Sequence, residues 1–201
     1  MKKSFQVSAK PFFASTLRNI HYETSTNILL LRSAATIAGL PVATSAAEKT
    51  DVLLAKGKVT LKVTDKWVRK KPKSRIIEHE FAIPAIKPDR QDGRLTFMGA
   101  SGGVKTNIDR WKGQFRNQSR KPKVEKHKVS GQTVHFVDVV GTYSPPPFTR
   151  QKPIPKARML GAIVETKKYG LQFIKLYGPE ATIKANEAAF KAMLKSLVAA
   201  K

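Results

Sequence analysis

The stretch TVHFVDVVGTY (133–143) constrains the fold more than any other part of the chain. Its alternation carries Val134, Phe136 and Val140 on one side and Val137 and Val139 on the other, so it is apolar on both faces. A strand of this kind sits in the middle of a sheet that is covered on both sides. The rest of the chain supplies the neighbours and the covers. KVTLKVT (58–64), RIIEHEFAIP (75–84), RLTFMG (94–99), KVEKHKVS (123–130), MLGAIVET (159–166) and LQFIKLYG (171–178) read as further strands. Val104, Ile108, Trp111 and Phe115 are spaced 4, 3 and 4 and make one stripe of a helix over about 103–117. Pro179 and Glu180 suit the first turn of a single final helix whose buried face is Ile183, Phe190, Met193, Leu194 and Leu197.

The expected order is β-β-β-α-β-β-β-β-α. Hairpin-length links make the fold class α+β, with a mainly antiparallel sheet of six to seven strands flanked by two amphipathic helices. KWVRKKPKSR reads as a loop anchored by Trp67, and SPPPFTRQKPIPKAR (144–158) as a long loop that is a stiff, extended connection. Residues 58–201 are expected to form one domain, residues 48–57 a linker, and residues 1–47 a targeting or disordered segment.

That N-terminal segment is rich in Ser, Thr and Ala, and it runs without charge from Ser33 to Ala47 after Arg32. A positive flank, a modest apolar stretch and small residues at Ala46 and Ala47 are the order of a secretory signal. An organellar transit peptide and a plain cytosolic tail are the alternatives. The expected location is extracytoplasmic, secreted or periplasmic, with cytoplasmic as the alternative. No apolar run approaches the roughly 20 residues of a membrane span.

GASGGVKT (99–106) follows an apolar strand and opens a helix, which raises the possibility of a phosphate loop. Such a loop needs glycine directly before the lysine, and Val104 stands there. A β-branched residue resists the positive φ that glycine supplies, and Val104 begins the apolar stripe of the helix. The segment reads as a turn. The chain has no cysteine, which excludes disulfides, thiolate metal sites and cysteine nucleophiles. His79 alternates away from Glu78 and Glu80, so this triplet does not converge on a metal; it reads as the exposed charged face of an outer strand. His135 and Asp138 lie three apart, on opposite faces of their strand. Asp138 shares a face with Val134, Phe136 and Val140, so it is expected in a structural ion pair, with a pocket contact as the alternative. No catalytic constellation, cofactor site or metal site is expected.

Charge sets the functional expectation. The chain holds 38 Lys and Arg against 14 Asp and Glu, a net +24, of which residues 1–47 account for only +4. Three basic groups lie in or beside loops. Lys70, Lys71, Lys73 and Arg75 belong with Lys66 and Arg69. Arg116, Arg120, Lys121 and Lys123 belong with Lys112, Lys126 and Lys128. Arg150, Lys152, Lys156 and Arg158 form the third. Such a surface suits an anionic polymer or an acidic protein. Aromatic residues for base stacking are sparse beside these groups, leaving a cytosolic, sequence-independent nucleic-acid binder as the alternative.

Five segments carry a resemblance: Trp67 with a following proline and Arg75, GGVKTNIDRWKGQF (102–115), KVSGQTVHFVDVVGTY (128–143), RMLGAIVE (158–165) and FIKLYGPEATIKANEAAFKAMLKSL (173–197). Together they resemble a group of small bacterial exported or lipid-anchored proteins of unknown function. The element order looks like the PsbP-type α/β/α sandwich, a fold shared by an extrinsic subunit of photosystem II and a Ran-binding nuclear import factor. The resemblance implies a non-catalytic binding or assembly role outside the cytoplasm. It makes Asn107, Arg110, Trp111, Gln114 and Phe115 a helix signature, with Asn107, Arg110 and Gln114 an expected interaction surface. A lipid-anchoring cysteine is lacking, which implies free secretion.

Overall fold

The computed structural model describes residues 51–146, 149 and 151–200. The targeting segment 1–47, Phe148 and Arg150 lie outside the described residues.

The fold is α+β. β1 (Asp51–Leu54), β2 (Val59–Lys62), β3 (Val68–Lys70), β4 (His79–Ile83) and β5 (Gly93–Ala100) precede α1 (Val104–Gly113). Then come β6 (Phe115–Arg116), β7 (Lys123–Val129), β8 (Gln132–Tyr143), β9 (Ile154–Thr166) and β10 (Gly170–Pro179). α2 (Glu180–Ala185), α3 (Glu187–Lys195) and β11 (Val198–Ala199) close the chain. The large sheet runs β3-β4-β5-β10-β9-β8-β6, with β7 also paired to β8, and every pairing is antiparallel. β8 is therefore interior: β9 flanks one edge, and β6 and β7 share the other.

Both faces of this sheet are covered, as the two-sided pattern of 133–143 requires. On one face Val134, Phe136, Leu160, Ile174 and Leu176 pack with Ile183, Phe190, Met193 and Leu194 of α2 and α3. On the other, Ile108 and Trp111 of α1 and Phe115 pack on Val137, Val139, Met159, Ile163 and Phe173. The glycine segment after β5 is a turn, with Gly102 at φ +90 and Val104 partly buried against this second core.

Four local expectations change. Residues 51–54, read as linker, form β1 against β2, with Val52 and Leu54 fully buried. β1, β2 and β11 make a second, three-stranded sheet on the α2–α3 side. Four residues are too short a run to announce a strand without the partner that buries them. The single final helix is two, meeting at Asn186, whose Oδ1 accepts from the Trp67 indole at 2.8 Å and whose Nδ2 donates to the Thr182 carbonyl at 2.9 Å. The proline loop is shorter than expected, because β9 starts at Ile154 and absorbs a bulge near Lys156, a residue with positive φ. β4 is no outer strand, since β3 lies beside it.

Candidate functional site

The fold separates the basic groups. Lys70 ends β3 at one edge of the large sheet, with Lys71, Lys73 and Arg75 in the loop that follows. Arg116 ends β6 and Lys123 begins β7, both at the other edge, with Arg120 and Lys121 in the connection between them. At roughly 4.8 Å per strand, six spacings put these edges roughly 30 Å apart. The first two groups do not form one patch.

The second and third groups meet, at an acid. Asp138 and Arg158 are buried. Arg158 Nε and Nη2 donate to both carboxylate oxygens of Asp138 at 2.9 and 2.8 Å. Arg120 Nη2 donates to the same carboxylate at 2.7 Å. Arg158 also donates to Glu187 of α3 at 2.7 Å, and Lys191 holds the other oxygen of Glu187. Burial alone would raise the Asp138 pKa, but the guanidiniums of Arg158 and Arg120 overcome it and hold the carboxyl below the usual range. Two cations of the basic groups are thus spent on tying β8 and β9 to α3.

The histidines hold structure as well. His79 accepts from Arg69 at Nδ1 (3.1 Å) and lies 2.9 Å from the Leu53 carbonyl at Nε2. Since arginine only donates, Nε2 carries the proton. Glu80 pairs with Arg94, and Glu78 accepts from the Gly99 amide at 2.9 Å. The triplet read as an exposed charged face is instead fully engaged, because β4 lies inside the sheet. His135, on the face opposite Asp138, contacts Glu165. Among the described residues no three metal-ligating side chains gather.

The helix signature leads to a different place. Asn107 is buried; its Nδ2 donates to the Gly103 carbonyl at 3.0 Å, and its Oδ1 accepts from Arg110 at 2.9 Å. Asn107 therefore fixes the entry to α1, while Arg110 is exposed. Gln114 turns inward and accepts from Lys175 of β10. The Lys175 ammonium stands 4.9 Å from the ring centres of both Tyr143 and Tyr177. Arg94 donates to the Tyr177 hydroxyl at 3.0 Å and to Glu80 at 2.9 and 2.8 Å. Burial first, then the positive charge of Arg110 and Arg94, pulls the Lys175 pKa down to about 7. Burial and the neighbouring Tyr177 push the Tyr143 phenol up, so both rings stay neutral.

A lysine that titrates at about 7 when folded and 10.5 when unfolded makes the unfolded chain bind more protons between those values. Its contribution to stability therefore rises with pH across that window, and below it the burial cost is present in full. The groups facing Lys175 are Gln114 and Arg110 from α1 and its C-terminal end, Arg94, Tyr143 and Tyr177, with Glu80 one pair removed. Lys175→Met is expected to fold and to exceed the parent in stability most at neutral pH. The excess should shrink as pH rises toward 10; urea melts at several pH values read the difference.

Sequence reasoning missed Lys175, Arg94, Tyr143 and Tyr177. The signal was present in LQFIKLYG, where alternation places Lys175 between Phe173 and Tyr177 on one face of a strand that is apolar on both.

No protein-family model matches the chain, and no curated protein does. Solved structures of the PsbP-like fold are among those it is similar to. Cyanobacterial PsbP of Synechocystis sp. PCC 6803 is 13% identical, with 74% of this chain and 91% of that one covered at a TM-score of 0.47. The Ran-binding protein Mog1p of Saccharomyces cerevisiae is 10% identical, covering 74% and 94% at 0.45. LpqN of Mycobacterium tuberculosis, described as involved in cell envelope biogenesis, is 12% identical, covering 76% and 90% at 0.45.

Proposed function

We propose that the protein is a non-enzymatic binding or accessory domain, exported from the cytoplasm, that engages an anionic polymer or an acidic protein surface through the basic edge of its large sheet. The observation that carries this reading is the edge formed by β6 and β7. Arg116, Arg120, Lys121, Lys123, Lys126 and Lys128 are all exposed there, against Glu125 as the one acid between 116 and 129. Asp138 takes up Arg120 and Glu125 takes up Lys123, which leaves four cations without a carboxylate among the described residues. Lysines on an edge strand also discourage pairing with another chain, so the reading needs a binding measurement.

Polyglutamate, polyphosphate and duplex DNA serve as probes. Four contacts to a phosphate polymer predict about a hundredfold loss of affinity between 50 and 200 mM salt. Reversing Lys121, Lys126 and Lys128 to Glu is expected to weaken binding at least tenfold and to flatten that salt slope. Binding that ignores the reversal, or no binding at low salt, overturns the reading of this edge. The mature N-terminus and the cell fraction test export: a chain starting near Glu48 outside the cytoplasm supports it. An intact chain in the cytoplasm that binds DNA favours the nucleic-acid alternative.

A further inference from the structure

On β10, Phe173, Lys175 and Tyr177 point to the α1 face. Antiparallel register sets Met98, Thr96 and Arg94 of β5 beside them in the same order. α1 covers the β8–β9 part of this face through Ile108 and Trp111. It leaves Met98 and Arg94 partly exposed. Two clefts of about 440 Å³ open here. One is lined by Met98, Phe173, Ser101, Asn107 and Arg110. The other is lined by Arg94, Tyr177, Gln151, Lys152 and Ile154. Each cleft takes one end of the same two residue rows, with Lys175 at the midpoint. They are the two ends of one groove, roughly 14 Å long over four residues of strand.

The chemistry along the groove is uneven. A lysine ammonium has three N–H donors; Gln114 accepts one, and the rings of Tyr143 and Tyr177 flank the ammonium. Among the described residues no carboxylate pairs with Lys175. Arg94 is neutralised by Glu80, but Arg110 and Lys152 are not neutralised by any described acid. A partly buried ammonium with spare donors and cations on either side is short of an anionic oxygen. The end near Phe173 and Met98 is apolar.

We propose that this groove binds a small organic anion, with a carboxylate or phosphate group at Lys175 and an apolar body along Phe173 and Met98. The site is separate from the β6–β7 edge and stands or falls independently of it. Binding brings a negative charge to an amine that is largely neutral at about pH 8, so the amine takes up a proton as the ligand enters.

The test is calorimetric titration of the full chain with benzoate, phenyl phosphate and inorganic phosphate in buffers of different ionisation heat. Expected is binding of benzoate or phenyl phosphate that takes up close to one proton at about pH 8 and close to none at about pH 6, where Lys175 is already charged. Which of the two binds identifies the anionic group. Lys175→Met should weaken binding at least tenfold and abolish the uptake, whereas Lys175→Arg should retain binding without uptake. The Lys121, Lys126 and Lys128 reversal should leave all of this unchanged. No heat from either organic probe, binding without proton uptake, or a Lys175→Met protein that binds like the parent overturns the proposal. So does inorganic phosphate binding as tightly as phenyl phosphate, since the apolar end would then contribute nothing. Because Lys175→Met removes a buried charge, its folding is not in question, and a urea melt on the same sample shows it.

Discussion

Asp138→Ala is expected to lower the free energy of unfolding by about 3 kcal/mol, as removing one partner of a buried ion pair does. The loss falls at the low end of that range for a structural reason. Arg158 keeps Glu187 at 2.7 Å, and Arg120, whose side chain is 42% exposed, can return to water. What remains is a buried guanidinium with two of its donors stranded against β8. Removing both charges together, as Asp138→Leu with Arg158→Met, is expected to cost far less than the single change, because no uncompensated charge is left behind. Urea unfolding of the three variants decides the matter; an Asp138→Ala protein within 0.5 kcal/mol of the parent would show that the network contributes little. The same network sets an acid limb. The Asp138 and Glu187 carboxyls are held below their ordinary values, Asp138 against its burial by the two arginines and Glu187 mainly by Lys191. A depressed carboxylate contributes stability above its unfolded pKa and loses it as pH falls through the folded value. The gap between parent and Asp138→Ala should therefore close below about pH 4.

The second large effect is at Gly161. A Cβ there would stand 2.6 and 2.8 Å from two carbons of the Trp111 ring, closer than real contacts allow. Glycine in a strand interior ordinarily costs stability relative to alanine, so on propensity alone Gly161→Ala would help. The ring decides otherwise. Trp111 is buried, stacks edge-on to Phe173 at 5.3 Å and anchors α1. It cannot move without lifting the helix from the sheet. Gly161→Ala is expected to cost about 2 kcal/mol and Gly161→Val about 3 or more by overpacking. Trp111→Ala should cost about 3 to 5 kcal/mol on its own. In that background Gly161→Ala should be close to neutral, giving a coupling of about 2 kcal/mol. A Gly161→Ala protein as stable as the parent would refute the close approach.

Much of the fold was legible in local pattern. Period-two alternation marked the strands from β2 onward, save the three-residue β3 and two-residue β6 and β11, and the 4, 3, 4 spacing marked α1. β1 was not legible, since Val52 and Leu54 signal burial only once β2 and the α2–α3 layer lie over them. The break at Asn186 was hidden for the same reason: its cause is Trp67, 119 residues away. Less of the site was legible. Asp138 declared itself by standing among apolar neighbours, and Lys175 stood in the same kind of position.

By itself the sequence determined the class of fold, the two-sided cover of β8, and a surplus of positive charge large enough to make anions the expected company. Alternation, spacing and composition are local quantities, readable along the chain. Only the tertiary structure decided where each charge is spent. Arg158 and Asp138 lie 20 residues apart, Arg158 and Glu187 29, and Lys175 and Gln114 61. Which cations end against carboxylates, and which face an open groove, follows from strand order. That order is settled by apolar surface buried between distant segments, and no local period records it.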